Sequence, residues 1–281
     1  MSGCDPLPDW GEERYANNLH CAPGGAANQS VALARLEESV WLSSTVGVDS
    51  LGKLVVDSLA SYGVDTSLLT CGGRQALTVS LAGPADRAMV TYEEPAHDYM
   101  LPAEAPRTLI APMSIIERYR DVVSTWREVG TVVVGDVGFD ASGAWSQQDL
   151  SAMDLCDVFV PNDVEACSYT RVDDAAVAAQ RLVDMGADTV IVTCGAQGVL
   201  LARPGEIIRL PAVAVERVVD TTGAGDALSA GVAYALGCGL DAVTAARMGM
   251  ELASECVQRM GGAGATPTLA QMRLSGRWVN R

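Results

Sequence analysis

Apolar positions along the chain alternate between two periods. Short β-branched runs predict strands, and longer stretches with apolar residues three and four apart predict helices. Val40 to Val46, Thr131 to Asp136, Asp157 to Val160 (stopped by Pro161) and Thr189 to Thr193 read as strands. Gln29 to Leu36, Leu51 to Tyr62, Asp174 to Met185, Ala224 to Leu236 and Asp241 to Met260 read as helices. Gly63 and Gly186 follow two of these helices directly, where a left-handed residue ends a helix. Two hairpins interrupt the alternation: Leu77 to Leu81 with Ala88 to Tyr92 around Gly83-Pro84-Ala85-Asp86, and Gly198 to Leu201 with Ile207 to Leu210. The repeated strand–helix order predicts an α/β fold with a mostly parallel sheet covered on both faces. The first hairpin and the polar stretch 9–24 stand outside that order and are expected to form a small flap. We expect one domain over 1–281, with lid segments at about 9–24 and 76–98.

Composition narrows the partners. Hydrophobic residues make up 49% of the 281, but only two are Phe, so aliphatic residues and alanine must build the core. The formal net charge of −16 argues against nucleic acid or an anionic membrane as partner. Nucleotides remain open, because backbone N–H groups and Mg²⁺ can hold phosphates without a basic surface. No apolar run approaches the length of a membrane span, and Met1 to Trp10 does not read as a signal peptide, so a cytoplasmic protein is expected. Eight scattered cysteines form no C-x-x-C, and only His20 and His97 accompany them. That pattern suits buried free thiols better than zinc.

The chemistry concentrates in Asp220-Thr221-Thr222-Gly223-Ala224-Gly225-Asp226, a glycine turn opening the apolar helix from Ala227. Free N–H groups at such a helix start bind anions, phosphate above all. A carboxylate there would repel bound phosphate, which is explained if Asp226 takes a proton from an attacking hydroxyl. The plainer reading is an acidic first-turn residue favoured by the helix dipole. Gly24-Gly25-Ala26-Ala27-Asn28 makes a similar tight turn into a helix, or is only a glycine turn with an Asn near its end. Asn162 and Glu165 fall on one helical face, where they could orient Mg²⁺-bound water or form a capping box. Thr193 and Gly195, at a strand end, could donate to phosphate or simply turn the chain. Gly47 to Leu54 misses the P-loop pattern, since Leu54 stands where Ser or Thr would hold Mg²⁺ and Asp49 would sit in the phosphate cradle. Asp49 is better read as a turn residue or a polyol acceptor.

In this order the motifs resemble the ribokinase, or phosphofructokinase-B (PfkB), family of carbohydrate kinases, over roughly residues 10–275. The 220–226 segment matches the family's C-terminal signature without a mismatch, and the 24–28 segment resembles its N-terminal one. The resemblance implies a ribokinase-like three-layer αβα sandwich with a small β-lid. It implies an ATP-dependent kinase for a hydroxyl of a sugar or sugar-like substrate, with Mg²⁺ and, in many members, K⁺. Asp226 would be the general base; in the catalytic turn that Gly223 opens, the N–H groups of Ala224, Gly225 and Asp226 would form the anion hole. Gly24, Gly25 and Asn28 would contact the sugar. Asn162 and Glu165 would organise Mg²⁺ through water, and Asn162, Thr193, Gly195 and Gly225 would line ATP. Asp220 and Thr222, with the Met260 to Ala265 loop, match the K⁺ segments.

Two departures stand out. Glu37 replaces a small residue, and the family's first strand, ending in an Asp that holds sugar hydroxyls, has no counterpart ahead of Pro6 to Glu12. The N-terminal strand is therefore expected to be missing, which would leave two sheet edges open. A non-catalytic sugar or nucleotide sensor and a nucleoside kinase remain as alternatives, and an apolar lid face could pair two copies into a homodimer.

Overall fold

A computed structural model describes residues 8–82, 87–94, 98–276 and 278. In chain order its strands are β1 (Ser44–Val46), β2 (Leu69–Cys71), β3 (Leu77–Ala82), β4 (Arg87–Tyr92), β5 (Thr108–Pro112), β6 (Val132–Asp136), β7 (Val158–Phe159), β8 (Val190–Thr193), β9 (Val199–Arg203) and β10 (Glu206–Leu210). The helices are α1 (Ala26–Arg35), α2 (Ser50–Ser61), α3 (Met113–Arg118), α4 (Arg120–Glu128), α5 (Asp163–Thr170), α6 (Ala175–Asp184), α7 (Ala224–Gly237), α8 (Ala242–Cys256) and α9 (Leu269–Leu274). The main sheet runs β10-β9-β8-β7-β6-β5. Strands β5 to β8 are parallel, and β9 and β10 close one side antiparallel. Strands β1 and β2 form a separate parallel pair, and β3 and β4 a separate hairpin.

Side-chain alternation builds the three layers. Val133, Val190, Val192, Leu200 and Ala202 point into a core shared with α3, α5 and α6. Their neighbours Val134, Ile191, Val199 and Leu201 point the other way, against α7 and α8. A third core joins α1, α2, α9 and the inner sides of α7 and α8 around Ala32, Leu59, Ala230 and Leu252. Helices α7 and α8 cross at glycine: a Cβ on Gly231 would lie 2.7 Å from Gly249 Cα.

Most expected elements appear with shifted ends. The 40–46 run narrows to β1 with one bridge at Trp41, because Trp41 and Ser43 find no partner on their far side. The last long helix stops at Cys256 rather than Met260, where the Val257 carbonyl instead accepts Val219 N and Asp220 N. The sheet is mixed rather than mostly parallel at its β9–β10 side. Asp49 caps α2, its carboxylate accepting Gly52 N at 2.9 Å and Gln75 N at 3.2 Å, so it is a turn residue. Glu37 sits at φ 66, a conformation that favours glycine. Buried thiols are found at Cys156 and Cys256, whereas Cys21, Cys71 and Cys238 are exposed. The 83–86 turn, His97, Asp5 and the other residues of 1–7 lie outside the described residues.

Candidate active site

Parallel strands place ligand groups at their C-terminal ends. Here those ends carry Asp136 from β6, the Pro161–Asn162 step after β7, and Thr193 from β8. Asn162 and Thr193 lie side by side, joined by an isolated bridge and by Thr193 N donating to Pro161 O at 2.9 Å. Gly195 follows with φ 52.

The turn before α7 is built by Asp220. Its carboxylate accepts Thr222 N at 2.9 Å and Gly261 N at 3.3 Å, tying the turn to the loop after α8. Gly223 takes φ 76 as the helix N-cap, a left-handed conformation that glycine adopts without penalty. Ala224 N donates to Thr221 O at 3.3 Å. Gly225 N and Asp226 N make no such bond among the described residues, so two of the three expected anion-hole donors are uncommitted and the third is shared with the turn.

Asp226 projects from the first turn of α7 toward α1. Asn28 Nδ2 donates to its Oδ2 at 2.9 Å. Burial raises the Asp226 pKa, while hydrogen bonds from Asn28 and then Gln29 pull it back. A half-desolvated carboxylate of this kind is a stronger base than one in water. Gly25 caps α1 at φ 58, and the space beside the Cα atoms of Gly24 and Gly25 is open, so a ligand can approach their backbone. Gly262 lies against Asn28, since a Cβ there would meet Asn28 Oδ1 at 3.0 Å. The structure thus brings together the 24–28 turn, the 220–226 turn and the loop after α8.

Asn162 and Glu165 form a reciprocal capping box. Glu165 N donates to Asn162 Oδ1 at 2.8 Å, and Asn162 N donates to Glu165 Oε2 at 2.9 Å. Glu165 is buried, which raises its pKa against the opposing pull of Asn162. The pair is therefore first a helix start, with Glu165 Oε1 outside the box.

Residues 4–269 match the pfkB family of carbohydrate kinases. The chain belongs to that family. Among relatives of this pfkB-family kinase, the ribokinase of Haemophilus influenzae is 28% identical over 271 residues, covering 92% of this chain and 88% of that protein. The fold is shared with an Arabidopsis thaliana ribokinase complexed with ribose and ATP, at TM-score 0.77 and 22% identity, over 97% and 93% of the two chains. It is also shared with a Salmonella enterica aminoimidazole riboside kinase complexed with its riboside and an ATP analog, at TM-score 0.78 and 24% identity, over 93% and 94%.

Two residues of this kinase escaped the sequence reading. Gln29, next to Asn28, donates from Nε2 to Asp136 Oδ2 at 3.4 Å and helps hold down the pKa of the nearby Asp226 carboxyl. Asp136 is pushed up to about 7, first by burial, then by Glu165 and, more weakly, Asp226. The signal for Asp136 was its place as a charged residue closing an otherwise apolar strand. No helix among the described residues is long and apolar enough to cross a membrane.

Proposed function

We propose that this kinase transfers the γ-phosphoryl group of ATP to a hydroxyl of a sugar or nucleoside, with Asp226 as general base. The observation that carries the reading is the Asp226 carboxylate held 2.9 Å from Asn28, on the helix turn whose Gly225 and Asp226 N–H groups are uncommitted. In this reading Asn28 orients the carboxylate and keeps it ionised, and Asp226 accepts the hydroxyl proton. The two amides meet charge that grows on the transferred group, where fixed dipoles are worth most. Gly24 and Gly25 would let the acceptor approach, and Thr193 and Gly195 would line the nucleotide.

Glu165 and Asp226 raise the cost of ionising Asp136, so the cleft is electronegative. Among the described residues no group of three or more His, Cys, Asp or Glu is placed to hold a metal directly, and Mg²⁺ would be organised through water by Asn162 and Glu165. Bound with ATP, Mg²⁺ would neutralise phosphate charge. K⁺ would sit by the Asp220–Thr222 turn and the Gly261–Gly262 loop, which Asp220 ties together by accepting Thr222 N and Gly261 N. The β3–β4 hairpin exposes Val90 and Tyr92 on one face and Met89 on the other, and two copies could pair on the Val90–Tyr92 face.

ADP release measured over a panel of pentoses, hexoses and nucleosides tests the activity. Asp226→Asn keeps an oxygen for Asn28 but removes the base. It is expected to lower kcat by about 10²–10⁴ with ATP affinity nearly unchanged. Near-normal turnover by that variant would refute the role. The split sheet favours one second reading, a sensor that binds without transfer; it predicts saturable sugar or nucleotide binding and no ADP release.

A further inference from the structure

The polar stretch ahead of α1 leaves the large side chains of Trp10, Tyr15 and Leu19 in solvent. His20, next in line, does not follow them. Its imidazole ring lies on Gly261, in the loop after α8. A Cβ placed on Gly261 would fall 2.5 Å from His20 Nε2, 3.1 Å from Cε1 and 3.3 Å from Cδ2. The three nearest atoms all belong to that ring, so the ring covers this side of Gly261. Gly261 is buried, although its neighbour Met260 is exposed. Glycine is needed here on two counts. Its φ is 113, and a methyl group would collide with the ring.

Under the ring lies the tie between this loop and the turn that opens α7. Gly261 N donates to Asp220 Oδ2 at 3.3 Å, and Asp220 Oδ1 accepts Thr222 N at 2.9 Å. One carboxylate thus holds both segments, and the helix cap Gly223 follows at once. Other contacts pin the same two segments from the inner side. Val219 N and Asp220 N donate to Val257 O, and Cys256 Sγ donates to Gly262 O at 3.4 Å. Gly262 in turn lies against Asn28 Oδ1, beside the amide that holds Asp226. The Gly261–Asp220 bond is the long one of the set. Water that reached it would compete for the N–H and the carboxylate alike, and a hydrogen bond shielded from water is stronger.

We propose that His20 is a positioning residue for phosphoryl transfer: its ring closes the outer side of Gly261, keeps water from the Gly261–Asp220 hydrogen bond, and so holds the 220–226 turn in the geometry that aims the Gly225 and Asp226 amides. The ring acts through Gly261 and Asp220 rather than on the reacting atoms. The stretch ahead of α1 is then part of the wall that supports the site, and not a flap standing apart from it. The effect on turnover rests on the reaction proposed above. The effect on the turn does not.

Two measurements on His20→Ala test it. In the ligand-free protein, amide exchange at Gly261 and Thr222 is expected to speed up about 10-fold, with exchange at Val133 and Val192 in the sheet unchanged. In turnover, kcat is expected to fall about 10-fold while KM for ATP and for the acceptor stays within about 2-fold, the pattern of a loss felt in the transition state. His20→Gln, whose flat amide reaches as far as Nε2, should restore most of both. Unchanged exchange at Gly261 and Thr222 overturns the proposal. Exchange that rises in the sheet as well overturns it too, because His20 would then serve general stability. Faster local exchange with unaltered kcat removes the positioning role. If the unaltered chain phosphorylates no sugar or nucleoside, the reading of the reaction fails, and the exchange result still decides whether His20 holds the turn.

Discussion

Replacing Asp136 with Asn should make this protein more stable, by an amount that grows with pH. The Asp136 carboxylate lies against Gln29 and Val137 N at the end of β6, with Glu165 and Asp226 nearby. Its folded pKa of about 7 stands above the ordinary 3.8. The folded state therefore holds this proton more tightly than the unfolded chain does. Well below pH 3.8 both states are protonated and the group costs nothing. As pH rises toward 7 the unfolded chain ionises first, and stability falls until the folded carboxylate ionises as well. A displacement of about three pH units corresponds to about 4 kcal/mol at full ionisation. Water drawn toward the charge lowers this, so about 2–4 kcal/mol is expected at pH 8, against about 0.5 kcal/mol at pH 4. In Asp136→Asn the introduced amide oxygen can still accept Val137 N while carrying no charge. Urea unfolding of both proteins from pH 4 to pH 8, in chelator and without nucleotide, reads the difference directly. A gain that is the same at both ends, or a loss that widens at high pH, would refute the electrostatic account.

Other substitutions probe the rest of the site. Asn28→Ala removes the donor that favours ionised Asp226, so the acid limb of the kcat/KM profile, which falls as the base is protonated, should move to higher pH; an unmoved limb would dissociate Asn28 from the base. Glu165→Gln can keep the capping box and should leave the melting temperature nearly unchanged, while the Mg²⁺ concentration for half-maximal activity rises about 10-fold. An unchanged Mg²⁺ requirement would leave Glu165 a purely structural residue. Gly231→Ala would press a methyl onto the Gly249 backbone at 2.7 Å and should cost about 1–3 kcal/mol, seen as an earlier denaturant midpoint with the same slope.

The parts legible in the sequence were those with local signals. Helix α6 was marked by Asp174, which caps it by accepting Ala176 N and Val177 N, and by Gly186 beyond its end. The β3–β4 hairpin followed from alternation on both arms. Strand β5 was not legible: Thr-Leu-Ile-Ala-Pro is short, and its closing proline reads as a loop. Strand β7 is only two residues long, held by neighbours on both sides rather than by its own pattern. In the site, glycine turns announced Gly25 and Gly223 because few other residues take those angles. The Asn28–Asp226 contact joins residues 198 positions apart and was not foreseen; family resemblance assigned each residue a separate role in one site. Asp136 and Gln29 have no local signature; their meeting depends on how α1 lies across the end of β6.

Helix α7 carries Ala227, Ser229, Ala230, Gly231, Ala233 and Ala235 buried on every side. Leu228 and Val232 are buried alongside these small residues, so the turn at its head cannot tilt without disturbing two cores at once. On the proposed reading, a change of acceptor would therefore be made at the hairpin and the strand ends, with the turn at the head of α7 left as it is.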